Sequence, residues 1–225
     1  TSRKFINRLK GIESESSGFE PVNDNMRASN GGAMKIGPVA CFGKGDMEKT
    51  IDIAKVICMP THGNRISMSA ACAVAAAVCG ALNGKDLFGI FKDAMSGAEK
   101  GEAIGAAGNT VAGPSFPKRL QSAIALGMNA NDLSEAMDTL RSYFDCSGMA
   151  ADSVPVSFGL MAAAKGDVMA AVQAAANIGN DTDTMATIVG AVLGAKNGVH
   201  AFPEELVRKL DEANGYDLCA LAETM

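Results

Sequence analysis

Apolar residues recur at intervals of three and four along most of the chain, and strict alternation of apolar and polar positions is nearly absent. This spacing predicts α-helices and almost no β-structure. The predicted helices run from Met47 to about Met59, Ile66 to Leu82, Asp86 to about Lys100, Pro117 to Met128, Asn131 to Phe144, a segment beginning near Pro155, Val168 to Asn177, Met185 to Lys196 and Pro203 to Ala213. We therefore expect an all-α fold, an orthogonal multi-helix bundle around one core.

Single residues mark the predicted helix ends. Asp46 and Asp167 are expected N-caps, because their short side chains can accept hydrogen bonds from free amides in the first turn. Pro60 is expected to break the chain between two helices. The Gly-rich segment 101–115 is predicted to be a loop, and the polar segment that precedes residue 30 is expected to be functional or poorly ordered.

The composition favours close helix packing. The 225 residues are 48% hydrophobic but only 5% aromatic, with 25 Gly, 13 Met and no Trp. Small residues at helix contacts are the natural interpretation, and the length suits one domain over residues 1–225. The net charge of −5 supplies no electrostatic reason to expect nucleic acid or an anionic membrane as a partner.

Cysteine usage and hydropathy bear on the compartment. The six cysteines contain no CxxC pair, and reduced core thiols in a cytoplasmic protein are the simplest account of them. No secretory hydrophobic segment is evident. The Ala-rich run from Ser69 to Leu82 is expected to be too short and too weakly apolar to span a bilayer. A soluble, cytoplasmic protein is the expectation.

Four consecutive oxygen-bearing side chains, Asp181, Thr182, Asp183 and Thr184, precede a small-residue apolar run. Nearby carboxylates repel each other unless water, backbone N–H groups or a cation compensates. If the chain turns here, the oxygens of Asp181, Asp183 and Thr184 converge, and such hard ligands suit Mg²⁺, Mn²⁺ or Ca²⁺ better than Zn²⁺. The alternative is that Asp183 or Thr182 caps the helix while Asp181 is solvated. One residue suffices for a cap, and four exceed that need.

Two further segments are candidates for binding. The glycines Gly31 and Gly32 after Asn30 would let backbone N–H groups approach a ligand closely, with a plain turn into a helix as the alternative. His62, within PTHGNR, is expected to be exposed in a turn between helices, either free to hydrogen-bond with a ligand or satisfied within the turn.

Taken in order, SNGGAMKIGP, THGNRISMSAACAVAAAVCGAL and NIGNDTDTMATIVGAVLGAKNG resemble the ADP-ribosylglycohydrolase family, over most of the chain from about Ser29 onward. The resemblance implies an all-α fold with a two-metal centre, usually Mg²⁺, with Mn²⁺ as the substitute. The late family motif reads Gly-Gly-Asp-Thr-Asp-Thr, and Asn180 is the one departure from it here. On this resemblance Asp181, Asp183 and Thr184 are metal ligands, and the two aspartates are catalytic.

The resemblance also implies a substrate and a reaction. The loop that holds the ribose and diphosphate comprises Asn30, Gly31, Gly32, Ala33 and Met34, and His62 borders the same cleft. The implied reaction is metal-dependent cleavage of the glycosidic bond between ADP-ribose and a modified protein or small molecule. A nucleoside or other ribosyl hydrolase on the same scaffold is one alternative. A non-catalytic binding or structural member, like the crystallins of this family, is another.

The family carries an early Thr-Asp-Asp-Thr-like motif that supplies the other half of its metal site, and no such sequence occurs in these residues. The chain also opens with a helical fragment that lacks a preceding cap. A truncated chain, a separate chain that supplies the opening segment, and a member without activity are the three explanations.

Overall fold

A computed structural model of the chain describes residue 6, residues 9–11 and residues 28–224. Within these ranges the structure is helical and has no strands, with two isolated bridges, Ser29 to Met149 and Asn64 to Asn109. The prediction of an all-α fold is confirmed. The expectations for the opening segment fall mostly on residues outside the described ranges.

Twelve α-helices lie between residues 28 and 224. They are α1 (Gly31–Met34), α2 (Val39–Gly43), α3 (Met47–His62), α4 (Arg65–Leu82), α5 (Leu87–Gly105), α6 (Phe116–Asn129), α7 (Leu133–Tyr143), α8 (Ala150–Ala163), α9 (Val168–Asn177), α10 (Thr182–Asn197), α11 (Glu204–Asn214) and α12 (Leu218–Glu223), with a short 3₁₀ turn at Val199–Ala201. No helix was predicted where α12 lies.

Helix α4 is the central element of the core. Every residue from Ile66 to Ala81 is buried, and the helix packs against α5, α3, α10, α1, α2 and α8. Ten of the residues from Ile66 to Ala81 are alanine, cysteine or glycine. Small side chains therefore make most of the contacts between α4 and other helices, as the composition predicts. The site described below lies at the N-terminal end of α4.

The same helix bears on the expectation about membrane-spanning segments. Among the described residues, Arg65–Leu82 is the one helix long and apolar enough to cross a membrane, with a hydropathy of 1.6. The expectation concerned the shorter run from Ser69 to Leu82, and the helix that passes this test by length and composition begins four residues earlier, at Arg65. However, 89% of the segment is buried inside the molecule, so its apolar surface is already covered by other helices.

Pro60 does not break the chain, because α3 continues through it to His62. A proline inside a helix removes one backbone N–H, which leaves the carbonyl four residues earlier without its partner. That carbonyl belongs to Val56, which is exposed, so water can take the hydrogen bond. The predicted break is wrong because the proline stands in the last turn, where only two residues follow it.

The Gly-rich segment after residue 100 is partly helix, since α5 extends to Gly105. Gly97, Gly101 and Gly105 recur every four residues and face α4. A Cβ at Gly97 would stand 2.4 Å from the backbone oxygen of Cys72, and one at Gly101 would stand 2.5 Å from that of Met68. These glycines allow two helix backbones to touch, and their clustering indicates packing rather than a loop.

Aspartate caps are confirmed at two predicted positions, where Asp46 accepts from the Lys49 amide and Asp167 from the Ala170 amide. At α7 the prediction is one residue early, because Asp132 rather than Asn131 is the cap. Such shifts of one residue do not change the packing.

We predict that Gly97→Ala and Gly190→Ala have opposite effects on stability. An alanine at Gly97 has to displace the α4 backbone and should lower the free energy of unfolding by about 1–3 kcal/mol. Gly190 lies within α10 with nothing within 4 Å of its Cβ position, so alanine there should raise stability by about 0.5–1 kcal/mol. Urea unfolding measures both, and a stabilised Gly97→Ala protein would contradict the contact between α4 and α5.

Candidate functional site

The candidate site forms where the start of α10 meets the segment that leads into α1. Asp181 occupies the N-cap position of α10, but its side chain makes no capping hydrogen bond. Instead, its Oδ2 accepts a hydrogen bond from Nδ2 of Asn30 at 2.5 Å. Thr182 and Asp183 are inside the helix, so the alternative in which one of them caps it is wrong. The helix also begins three residues before the predicted start at Met185.

The three predicted metal ligands differ in exposure. Asp181 is half-buried, Asp183 is exposed, and Thr184 is 3% exposed with its hydroxyl directed at the Met34 sulfur, 3.8 Å away. They lie together at the start of one helix. Within residues 6, 9–11 and 28–224, no group of three or more His, Cys, Asp and Glu side chains could hold a metal ion.

Asn30 is a polar side chain that the fold buries. It is 5% exposed, and its amide donates both to Asp181 and, at 2.8 Å, to the hydroxyl of Ser153 on α8. The amide therefore orients the Asp181 carboxylate. Of the remaining residues in the predicted substrate loop, Ala33 is buried in the core and Met34 is exposed beside the site.

Close packing against His62 explains why glycine occupies positions 31 and 32, and the sequence alone did not indicate this contact. A Cβ at Gly31 would stand 3.0 Å from Nε2 of His62, and one at Gly32 would stand 3.3 Å from its Cγ. The glycines thus allow α1 to lie against the imidazole ring. Their proposed role toward a ligand stays a prediction.

His62 is 4% exposed and is the last residue of α3, so the expectation of an exposed histidine in a turn is wrong. Both ring nitrogens have partners. Nε2 lies 3.2 Å from Oγ of Ser29, and Nδ1 lies 2.7 Å from Oγ1 of Thr61. Burial, and secondarily the Lys35 ammonium group, lowers the pKa of His62 from 6.5 to about 4. The imidazole is therefore neutral near pH 7.

Segment 145–150, which begins after the predicted helix that ends at Phe144, joins the two halves of the site. The carbonyl of Cys146 accepts from the Asp181 amide at 3.0 Å, and the carbonyl of Gly148 accepts from the Asn30 amide at 2.9 Å. Neither contact has a sequence signal, because both use backbone atoms that every residue carries. Ser153 was missed as well, since an isolated serine in an apolar helix has no distinctive spacing.

Asn180 stands where the resembled motif has glycine, and its backbone explains why. Its φ is +61°, in the left-handed region that favours glycine and that asparagine tolerates better than most residues. Its side-chain amide also donates to the backbone oxygen of Asp145 at 2.9 Å. The departure from the motif is thus compatible with the same turn.

Comparison with known proteins agrees with this geometry. The chain matches the ADP-ribosylglycohydrolase family over residues 1–225 and belongs to that family. The family is hydrolytic, and membership supports a glycohydrolase-type function. The chain is also similar to the uncharacterized protein YegU of Escherichia coli (strain K12), with 28% identity over 195 residues. That alignment covers 86% of this chain but 58% of the relative, so the chain spans less than two thirds of the relative's length.

We predict that His62 makes the protein less stable in mild acid. Because its folded-state pKa of about 4 lies below the ordinary 6.5, the unfolded chain takes up the proton first as the pH falls. Stability is therefore lost between about pH 6.5 and 4, and about 2 kcal/mol of it by pH 5. Urea unfolding at pH 7.5 and pH 5 measures the difference.

The matched variants are His62→Phe, which keeps a flat ring, and His200→Phe, which removes the exposed histidine. Wild type and His200→Phe should share the extra acid sensitivity, and His62→Phe should lack it. Equal pH responses in all three proteins would show that His62 is not buried in its neutral form.

Proposed function

We propose that this chain forms the ribosyl-binding part of a metal-dependent hydrolase that cleaves the glycosidic bond between ADP-ribose and a modified protein or small molecule. One observation supports this above all others: Asp181 stands at a helix N-terminus without capping it, and a buried asparagine holds its carboxylate. A residue needed only to cap the start of a helix would make the capping hydrogen bond itself, and it would not need a buried asparagine to hold its carboxylate.

The donor set fits a hard divalent cation. Asp181, Asp183 and Thr184 supply oxygen atoms, which Mg²⁺ and Mn²⁺ prefer. Asn30 occupies one oxygen of Asp181, and the other can bind a cation because a carboxylate has several acceptor sites. The remaining coordination positions would be taken by water, by substrate hydroxyls or by groups outside the described residues, since the described residues contain no group of three or more His, Cys, Asp or Glu side chains that could hold a metal ion.

The substrate loop and the proposed metal ligands are in contact. Asn30 at the start of α1 bonds to Asp181, and Met34 at its end contacts the Thr184 hydroxyl. Helix α1 also packs against α10. A ribose bound beside α1 would therefore lie next to the carboxylates, which the proposed reaction requires.

When bound, Mg²⁺ would supply a Lewis acid that orients the ribose hydroxyls and makes a nearby water more acidic. The chain's own contribution is to fix the ligand geometry. Asn30 holds one Asp181 rotamer, and neutral His62 keeps α1 against α3 without adding positive charge that would repel the cation. The water attacks the anomeric carbon, the glycosidic bond breaks, and the leaving group takes the proton.

The partners and the location belong to the same proposal. The substrate is an ADP-ribosylated protein or a ribosyl small molecule. A cytoplasmic location is supported by six cysteines that are all free, four of them buried.

We predict that Mg²⁺ or Mn²⁺ raises the melting temperature of the protein through Asp181 and Asp183. A hundredfold excess of metal over its Kd adds roughly 3 kcal/mol, which corresponds to a shift of roughly 5–10 °C in a domain of this size. Asp183→Ala and Asp181→Asn should each abolish most of the shift. Asp132→Asn is the matched control, because asparagine caps α7 as well as aspartate does.

The outcomes separate the alternatives. A shift that persists in both site variants would remove these aspartates as metal ligands. A metal-dependent shift without release of ADP-ribose from an ADP-ribosylated protein would favour the non-catalytic alternative. Release of free base from a nucleoside, without turnover of ADP-ribosylated protein, would favour the nucleoside hydrolase.

A further inference from the structure

Segment 145–150 is bonded to both halves of the candidate site. On one side it forms hydrogen bonds with residues 28–30, just before α1, and on the other side with the turn before α10. The four hydrogen bonds are Asn30 N to Gly148 O (2.9 Å), Ala150 N to Ala28 O (2.9 Å), Asp181 N to Cys146 O (3.0 Å) and Asn180 Nδ2 to Asp145 O (2.9 Å). A change in the shape of this segment would therefore change the position of Asn30 relative to Asp181.

The segment has little regular structure of its own. It connects the end of α7 at Tyr143 to the start of α8 at Ala150. Cys146 has a φ of +52°, which a residue with a side chain adopts only when its surroundings hold it there. Contacts made by the segment and by its neighbours have to stabilise this conformation.

Three side chains supply that support. Asp152, in the first turn of α8, accepts from Nη2 of Arg119 at 2.8 Å and from Oγ of Ser147 at 3.0 Å. The Ser147 hydroxyl in turn accepts from the Met149 amide at 3.3 Å. Arg119 also donates from Nε to the Ala151 carbonyl at 2.6 Å, which locks its orientation.

The arginine lies over the Phe144 ring, with 4.5 Å between its central carbon and the ring centroid. Its side chain is 27% exposed and that of Asp152 is 21% exposed, so water screens this ion pair less than a fully exposed one. The pair thus contacts the chain just before the segment at Phe144, inside it at Ser147 and just after it at Ala151.

We propose that Arg119, Asp152 and Ser147 form a clamp that positions Asn30 against Asp181 and so sets the geometry of the cation site. The clamp residues are positioning residues, because they act through segment 145–150 and not on a ligand. The metal-binding consequence rests on the proposed function, whereas the structural consequence does not.

The test compares Asp152→Asn and the milder Ser147→Ala with Asp93→Asn. Asp93 is a matched control, since it pairs with Lys85 at 2.7 Å and its side chain is 14% exposed. It contacts Gly80, about 20 Å along α4 from the site. Hydrogen exchange of the Asn30 and Asp181 amides is measured in each protein, relative to amides in the middle of α5.

Both clamp variants should speed exchange of the Asn30 and Asp181 amides about tenfold relative to α5, because these amides lose a stable acceptor. Asp93→Asn should leave the ratio unchanged. If neither clamp variant changes the ratio beyond the control, the clamp is overturned. Should Asp152→Asn fail to fold, Ser147→Ala alone decides.

Mn²⁺ affinity, followed by electron paramagnetic resonance, provides the second readout. Asp152→Asn should weaken Mn²⁺ binding about tenfold, and Asp93→Asn should not change it. Wild-type protein that binds no Mn²⁺ would contradict the proposed function and leave the exchange result to decide the clamp. Wild-type binding that Asp152→Asn leaves intact would contradict the clamp's role in the cation site.

Discussion

The hydrogen bond from Asn30 to Asp181 joins residues 151 positions apart and sets the arrangement of everything around it. A charge-assisted bond of this kind contributes on the order of 1.5–3 kcal/mol and leaves the carboxylate with one orientation. It also explains why Asp181 does not cap its own helix, since a carboxylate turned toward Asn30 faces away from the first-turn amides.

This bond requires the residue before α1 to lie close to the start of α10, and small residues pack the surrounding helices closely. Gly31 and Gly32 lie against the His62 ring, and Gly97 and Gly101 let α5 touch α4. Large side chains at these positions would push α1 away from α3 and α5 away from α4. The low aromatic content of the chain is thus connected to its site as well as to its core.

The neutral imidazole of His62 is part of the same close packing around α1. Burial against α1 lowers the pKa of His62, so the imidazole that packs on the substrate loop carries no charge near pH 7. The two hydroxyl partners of the ring, on Ser29 and Thr61, satisfy its nitrogens without adding charge. His62 therefore supports the loop, whereas the sequence had suggested an exposed group.

Periodicity, caps and the DTDT run were readable from the sequence alone, because each depends on residues close together in the chain. They determined the helical class, the positions of most helices and the family. The role of Gly97, the burial of His62 and the function of segment 145–150 were decided by the tertiary structure. Each depends on which backbone or side chain from a distant part of the chain lies opposite, and local spacing carries no information about that.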